Sequence, residues 1–598
     1  MTPPRWDLSN VYAGLKAPEL AEDIAWVKAE TKALADFYRQ ELSTLDADSP
    51  PQALNAAISS MVDRLNALME KASTISAYFH SFISTDSYNQ EAMRMDSQFD
   101  QVMVEINKVN VSLETWTGKV KAALPAALAL GGSAGEHAFA VMEVAEQSQY
   151  LMSEEKEILS SELSLSGSNA WSKLQGTVTS QKSVEFELEG EMKTLPMPAL
   201  INLYSHPDED VRKRAYTAEF EAWEAVKEPL AASMNGIKGW VNTLNKHRGR
   251  KDALHAPIDQ ARIDRETLEV MMAAMKESFP TFRQYFKAKA ARFGAEALPW
   301  WNLFAPTGKL DKSYSFKEAA EFIQANFDKF SPDLSAFAKT AFDHNWIDAE
   351  QRPGKRGGAF CMSVPAVKES RILCNFDGSL DQVMTIAHEL GHGYHNYNMF
   401  QAGKTPLQRQ TPMTMAETAS IMCETIVFNA VMETISDPQA ELALLETALI
   451  GDAQVIVDIY SRFLFEKEVF ERREKSELSA DELCEIMEEA QSQTYGEGLD
   501  PAYRHKFMWT WKPHYYYAGL SFYNFPYAFG MLFGVGLYAI YQQRGADFIP
   551  DYKQLLSSTG EAPAAELAAR FDIDIRSKAF WADSLAVVGE RINRYCEL

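Results

Sequence analysis

Long segments with helical periodicity dominate this chain and set the class of fold that it can adopt. In these segments apolar residues recur about every 3.6 positions, and charged residues occupy the opposite face. The pattern predicts helices over residues 19–45, 52–82, 90–121, 267–293, 315–328, 437–474 and 479–495. Alternating apolar and polar residues, which are typical of strands, occur in residues 183–196 and 359–376. We therefore predict a mostly α fold with two hairpins, one turning at Glu189-Gly190 and one near residues 368–370.

Composition and charge limit what the chain can be. Hydrophobic residues make up 46% of its 598 residues, which is enough for a large core and excludes a disordered chain. The 83 acidic residues outnumber the 58 basic ones and give a formal net charge of −25, so no nucleic acid partner is expected. We predict an N-terminal helical region over residues 1–200 and a larger region over residues 201–598.

Cysteine usage and hydropathy indicate where the protein works. Five cysteines without a C-x-x-C pair argue against a disulfide framework, and MTPPRWDLSN shows no apolar signal segment. The expected location is therefore the cytoplasm. Residues 513–543 contain no Lys, Arg, Asp or Glu, but they include His514, Asn524 and Pro526 among many tyrosines. We predict a buried, aromatic-lined part of the functional site there, and no membrane partner.

The segment DGSLDQVMTIAHELGHGYHNY follows the second hairpin and is predicted to be a helix. Ser379 and Gln382 form a capping-box pattern, so the helix is expected to begin near Leu380. An apolar stripe on this helix is predicted to face the core and consists of Val383, Ala387, Leu390, Gly391 and Tyr394.

The polar side of the same helix carries a metal-binding pattern. His388 and His392 are four residues apart and share one face, with Glu389 beside them. This is the H-E-x-x-H arrangement, in which two neutral imidazoles bind Zn²⁺ and the Glu serves as general base. The pattern therefore predicts a zinc hydrolase.

A catalytic zinc site needs a third protein ligand and one position left for water. Positions 395 and 398 hold His and Asn where metzincin spacing needs Gly and His, and position 412 holds Pro where thermolysin-like spacing needs Glu. In MAETASIMCETIVF, Glu417, Ser420 and Glu424 fall on one helical stripe, so Glu417 is the better candidate. His395 is a rival, although three ligands from one helix make a poor tetrahedron, and a pocket role suits it better.

At this point the chain resembles the thimet oligopeptidase and oligoendopeptidase F family of zinc metallopeptidases. The resemblance rests on the H-E-x-x-H motif, on Glu417 at its spacing in E-T-A-S-x-x-x-E, and on RWDLSNVY at the start. The hairpin before the zinc helix and the Tyr-rich region after His514 agree with it. FYNFPYAFGMLFGVGLY is similar to one branch of the oligoendopeptidase F group.

The resemblance implies a fold and a set of roles. It implies a gluzincin-type peptidase with a small antiparallel sheet beside the zinc helix and helical halves that enclose a deep channel. Glu417 would be the third ligand of one zinc ion per chain, and Glu424 would orient a ligating histidine through its outer N–H. Glu424 as a merely structural carboxylate is the alternative.

Donors to the oxyanion of the tetrahedral intermediate are expected in WKPHYYYAGLSFYNFPYAFG. His514 and Tyr523 match the family's donors best, and Tyr517 and Tyr527 compete with them for substrate contacts. Some relatives have alternating tyrosines where this chain has Phe525-Pro526, so the choice among the hydroxyl groups stays open.

The second hairpin is expected to bind substrate as well as to pack. Its edge strand can pair with an extended peptide, and Gly358 before it would allow close backbone approach. Together these features predict a zinc metalloendopeptidase that hydrolyses internal bonds of short oligopeptides, as a monomer or homodimer. A zinc exopeptidase, a peptide-binding protein with structural zinc and a membrane-embedded protease are the alternatives.

Overall fold

The computed structural model describes residues 3–308 and 312–598, and helices account for most of them, as predicted. The α-helices, numbered α1 to α26 in chain order, are Pro18–Gln40, Pro51–Thr85, Gln90–Lys119, Leu124–Leu128, Gly132–Glu136, Ala138–Gln147, Glu154–Ser164, Ser168–Ser180, Met197–Asn202, Glu209–Glu224, Lys227–His247, His255–Gln260, Arg265–Arg292, Phe316–Phe330, Pro332–Asp343, Leu380–Gln401, Met413–Ala416, Thr418–Thr434, Pro438–Ala453, Ile459–Arg473, Ala480–Tyr495, Met508–Trp511, Phe525–Arg544, Ile549–Ser558, Ala564–Ala569 and Lys578–Glu597. The single helix predicted over residues 437–474 is two helices joined by a π-helical turn at Gln454–Asp458.

Both predicted hairpins are present. Strands β1 (Ser183–Leu188) and β2 (Glu191–Pro196) pair antiparallel around Glu189-Gly190. Strands β4 (Phe360–Val364) and β5 (Glu369–Leu373) pair antiparallel through a 3-10 turn that ends at Lys368, whose φ is 53°.

The sheet beside α16, the helix of the H-E-x-x-H motif, differs from the expectation in one respect. A short strand, β3 (Ile347–Asp348), adds to the hairpin and runs parallel to β5, so the sheet is mixed and not purely antiparallel. The sequence Ile-Asp is too short for an alternation pattern to reveal it. The strand order β3–β5–β4 leaves β4 at the edge.

The chain forms two compact units from interleaved segments. Unit 1 comprises residues 3–149, 312–433 and 540–572, and unit 2 comprises residues 150–308, 434–539 and 573–598. The sequence predicts a different division, in which the chain separates near residue 200 into two consecutive regions. That division stays a prediction. The deep channel implied by the resemblance also stays a prediction.

Unit 1 has a continuous apolar core among its N-terminal helices. Apolar side chains of α1, α2 and α3 interdigitate there, and Leu54, Ile58, Ile75 and Phe79 of α2 are completely buried. The long helices fold on one another because each presents one apolar face at helical spacing.

Unit 2 contains residues 513–539, which are most of the uncharged segment 513–543. Its helix α23 buries an almost unbroken series of residues from Phe525 to Leu537 within the protein. In the parts of the chain that the structure describes, every helix is too short or too polar to cross a bilayer. The five cysteines are free, as predicted, and burial raises the pKa of Cys374 to about 12.

Candidate metal centre

Helix α16 begins at Leu380, as predicted, and positions the two histidines. The Ser379 Oγ accepts a hydrogen bond from the Gln382 N–H over 3.3 Å, and the Ser379 N–H donates to Asp377 Oδ1 over 2.8 Å. The predicted apolar stripe is buried, and the helix packs against β4, β5 and α24 of the same unit. The polar face of α16 is thereby fixed relative to the sheet.

Three side chains of unit 1 converge at this face. One ligand atom from each of His388, His392 and Glu417 lies within 4.8 Å of the other two. Glu417 Oε2 is 3.3 Å from His388 Nε2 and 3.4 Å from His392 Nε2. The two predicted imidazoles and the predicted third carboxylate are therefore brought together.

Glu417 lies at a break in the helical segment that carries it. Helix α17 ends at Ala416 and α18 begins at Thr418, whereas the sequence pattern suggested one continuous stripe. The Ser420 Oγ donates a hydrogen bond to Glu417 Oε2 over 2.7 Å and so fixes the carboxylate. This contact was missed from the sequence, although the three-residue spacing was a signal for it.

Glu424 contacts the outer ring nitrogen of His388. Its Oε2 is 2.9 Å from His388 Nδ1, the ring nitrogen that faces away from Glu417. A carboxylate in this position fixes the tautomer and the orientation of the imidazole.

Gly391, within the motif itself, lets α16 approach α18. A Cβ atom at this position would lie 2.5 Å from both Ala419 O and Ser420 Cα, far inside van der Waals contact. Only glycine allows this separation, which places Glu417 within reach of the histidines.

Glu389 is buried beside the cluster, with 6% of its surface exposed. Its Oε2 has no hydrogen-bond partner among the described residues. Burial raises its pKa to about 7, while His388 opposes the shift and Glu417 adds to it. A buried carboxylate oxygen without a partner needs a polar group that protein atoms do not supply.

The charges of the cluster suit a divalent cation. Burial disfavours the charged form of His388, but hydrogen bonds to Glu417 and Glu424 outweigh it and raise its pKa to about 10. Burial lowers the pKa of His392 to about 4, which leaves that ring neutral and ready to coordinate. The pKa of Glu417 falls to about 2 because the histidines and Ser420 outweigh its burial. The carboxylates thus attract positive charge to the point where the three ligand atoms meet.

His395 is not part of this cluster. It is 4% exposed, and its Nε2 lies 2.9 Å from Thr559 Oγ1. Burial lowers its pKa to about 4. The structure therefore gives it a buried hydrogen-bonding role.

The predicted oxyanion donors belong to unit 2, so their approach to the cluster stays a prediction. Within that unit the rings of His514 and Tyr523 lie 5.7 Å apart, and the Tyr523 and Tyr527 hydroxyl oxygens are 2.6 Å apart. His514 is buried, and its Nε2 lacks a partner among the described residues. Burial, together with Arg462 and other cations, lowers its pKa to about 3, so the ring is neutral.

Tyr517 and Gly358 are the remaining residues that were predicted to contact substrate. The Tyr517 side chain is exposed, and the structure does not place it in the Tyr523–Tyr527 pair. Gly358 precedes β4 with a φ of +81°, in the left-handed region that favours glycine. Its backbone conformation is explained, and its contact with substrate stays a prediction.

A helical fold with a His–Glu–x–x–His helix and a nearby glutamate is the arrangement of zinc-dependent peptidases. The sequence profile of peptidase family M3 matches residues 202–587, and the chain belongs to this family. Among curated proteins it is similar to oligoendopeptidase F of Lactococcus lactis subsp. cremoris, with 23% identity over 394 residues, which are 66% of this chain and 64% of the relative. It is also similar to oligopeptidase PepF of Bacillus subtilis, with 20% identity over 446 residues, 74% of this chain and 66% of the relative.

The matched part spans just under two thirds of the length of these curated relatives.

Solved structures share the fold. Oligoendopeptidase F from Enterococcus faecium superposes with a TM-score of 0.70 at 17% identity, covering 97% of this chain and 98% of the other.

Proposed function

We propose that this chain is a zinc-dependent metalloendopeptidase that hydrolyses internal peptide bonds of short oligopeptides. The observation that carries the proposal is the convergence of His388, His392 and Glu417 beside the unpartnered Glu389 Oε2. Membership of peptidase family M3 and similarity to oligoendopeptidases support it.

The residues present fit one zinc ion. Two imidazole nitrogens and one carboxylate oxygen would hold it, which leaves the fourth position for water, as catalytic zinc sites require. Glu424 would orient His388, and Ser420 would orient Glu417. When bound, zinc lowers the pKa of a coordinated water and polarises the scissile carbonyl.

Glu389 is the proposed general base. Its buried carboxylate accepts a proton from the attacking water and passes it to the leaving amine as the peptide bond breaks. A pKa raised by burial makes this carboxylate a stronger base than an exposed glutamate.

His514 and Tyr523 are the proposed donors to the developing oxyanion. A neutral imidazole can donate through one nitrogen. A tyrosine hydroxyl that is hydrogen-bonded to a neighbouring hydroxyl group can be held in one orientation. Tyr527 orients Tyr523 through their paired hydroxyl groups, and Tyr517 is proposed to contact substrate from an exposed position.

Strand β4 is the proposed binding edge for the substrate backbone. It is the edge strand of its sheet and packs beside α16, so an extended peptide could continue the sheet there. Gly358, two residues before β4, leaves space for the backbone of a peptide. The proposal further includes one zinc ion per chain, oligopeptide partners, a cytoplasmic location, and a monomer or homodimer.

The test uses an internally quenched peptide of about ten residues, blocked at both ends. Wild type is expected to cut it internally, chelation to abolish cleavage, and added zinc to restore it. Glu389→Gln is expected to retain zinc but to lose cleavage. Cleavage that requires a free terminus would favour an exopeptidase, and zinc-loaded protein that cuts no peptide would favour a peptide-binding protein.

A further inference from the structure

The loop that joins the two metal-binding segments, residues 402–412, is here named the ligand loop. It begins after α16, which carries His388 and His392, and ends before α17, which leads directly to Glu417. Its placement therefore contributes to where the third carboxylate lies. The loop has no helix or strand, so its turns and contacts with side chains from elsewhere in unit 1 hold it.

Asn66 of helix α2 bonds the middle of the ligand loop. The Leu407 N–H donates to Asn66 Oδ1 over 3.0 Å, and the other end of the same amide, Nδ2, lies 3.1 Å from His137 Nε2. Asn66 is 9% exposed, so both ends of its amide are committed within the protein.

His137 bonds the start of the loop. Its Nδ1 lies 2.8 Å from the Ser133 carbonyl oxygen, so Nδ1 carries the proton and donates. The other nitrogen, Nε2, lies 3.1 Å from Asn66 Nδ2 and 2.7 Å from Thr405 Oγ1, so it contacts both residues. One buried imidazole thus connects the N-terminal helices to the ligand loop.

The opposite side of the loop rests on the corner after α24. Thr559 Oγ1 lies 2.8 Å from Thr411 Oγ1 and 2.9 Å from His395 Nε2. A Cβ at Gly560 would lie 2.1 Å from Gln408 O, so backbone meets backbone there. The ligand loop is therefore held between this corner and the N-terminal helices, where an ion pair of Arg409 with Glu70 adds to the contacts of Asn66 and His137.

We propose that Asn66 and His137 are positioning residues for the metal centre, although they contact neither metal nor substrate. They fix the ligand loop and so limit the orientations that Glu417 can adopt. This inference rests on the proposed function, because it requires Glu417 to be a metal ligand. It gives the N-terminal helices a role in the chemistry besides their contribution to the core.

The test measures zinc affinity of the full chain by competition with a chromophoric chelator. Asn66→Ala and Thr405→Val are expected to weaken zinc binding measurably, by less than the ten- to hundredfold loss typical of residues that bond a metal ligand directly. Thr405→Ser retains the hydroxyl and is expected to restore wild-type affinity. Thr405→Val also keeps the test valid should Asn66→Ala fold poorly.

Asn55→Ala is the matched control. Asn55 lies on the same helix, and its Nδ2 donates to Ala127 O over 3.0 Å and Gly131 O over 2.9 Å, neither of which belongs to the ligand loop. We expect this variant to lose thermal stability like Asn66→Ala but to bind zinc like wild type. Equal zinc affinity in Asn66→Ala, Thr405→Val and Asn55→Ala would overturn the inference. Wild type that binds no zinc would contradict the proposed function itself.

Discussion

Glu424 Oε2 lies 2.9 Å from His388 Nδ1, on the side of the imidazole opposite Glu417. The histidine is therefore held between two carboxylates, one at each ring nitrogen. In the proposed zinc site, Nε2 would be the nitrogen that points at the metal, and Glu424 would support the ligand without being one.

Replacing Glu424 tests whether its carboxylate supports His388. Glu424→Ala is expected to weaken zinc affinity about ten- to hundredfold, because the His388 ring loses its fixed tautomer and orientation. Chelator competition measures the change. Glu433→Ala, an exposed glutamate on the same helix, is the control and should bind zinc like wild type. Equal affinities in the two variants would show that Glu424 is only structural.

Gly391→Ala tests the close approach of α16 and α18. The added methyl group would overlap backbone atoms of Ala419 and Ser420 at 2.5 Å, so the helices must separate and carry Glu417 away from the histidines. We expect a lower Tm and loss of bound zinc, measured by thermal unfolding and metal analysis. Gly451→Ala, with open space around its Cβ in helix α19, should keep or raise Tm. Zinc retention by Gly391→Ala would contradict this account.

Glu389→Gln is expected to stabilise the metal-free protein at alkaline pH. Burial raises the pKa of Glu389 from its ordinary 4.5 to about 7. Folding therefore disfavours its ionised form, and this penalty is absent below about pH 4.5, grows between pH 4.5 and 7, and is complete above pH 7. Its full size is about 3 kcal/mol.

The measurement is Tm of chelated wild type and Glu389→Gln at several pH values. The variant should have the higher Tm at pH 8, and the difference should shrink toward pH 5. Glu433→Gln should show neither effect, because Glu433 is exposed. If Glu389→Gln were less stable than wild type at pH 8, the Glu389 carboxylate of the wild type would have a stabilising partner in the folded chain.

Tyr523→Phe tests the proposed oxyanion donor. Loss of one such donor costs about a hundredfold or more in kcat, with little change in KM, because the hydrogen bond forms in the transition state. Steady-state kinetics on the quenched peptide measure both constants. Tyr517→Phe alters an exposed hydroxyl and should change KM more than kcat. The reverse pattern would transfer the role to Tyr517.

Much of the fold was predictable because the signals are local. Helical periodicity, the Ser379 cap and the turn at Glu189-Gly190 depend on neighbouring residues, and the structure has each of them. The short parallel strand β3 was missed, because two residues carry no periodicity and its partner lies 25 positions further along the chain (Ile347 with Ile372).

The candidate site likewise has features that local sequence predicts and features that it does not. His388 and His392 lie one helical turn apart, so their convergence follows from spacing alone. The break in the helix at Glu417 has no local pattern that predicts it, and the contact of Asn66 with Leu407 joins residues 341 positions apart, which no local pattern encodes. Spacing also could not show that Gly391 sets the distance between two helices.

The most direct test of the central claim is anomalous diffraction at the zinc absorption edge from crystals of the full chain. The account predicts one zinc peak per chain, coordinated by His388, His392 and Glu417, with Glu389 beside the fourth position. A peak with other ligands, or zinc-equilibrated crystals without a peak at these three residues, would contradict it.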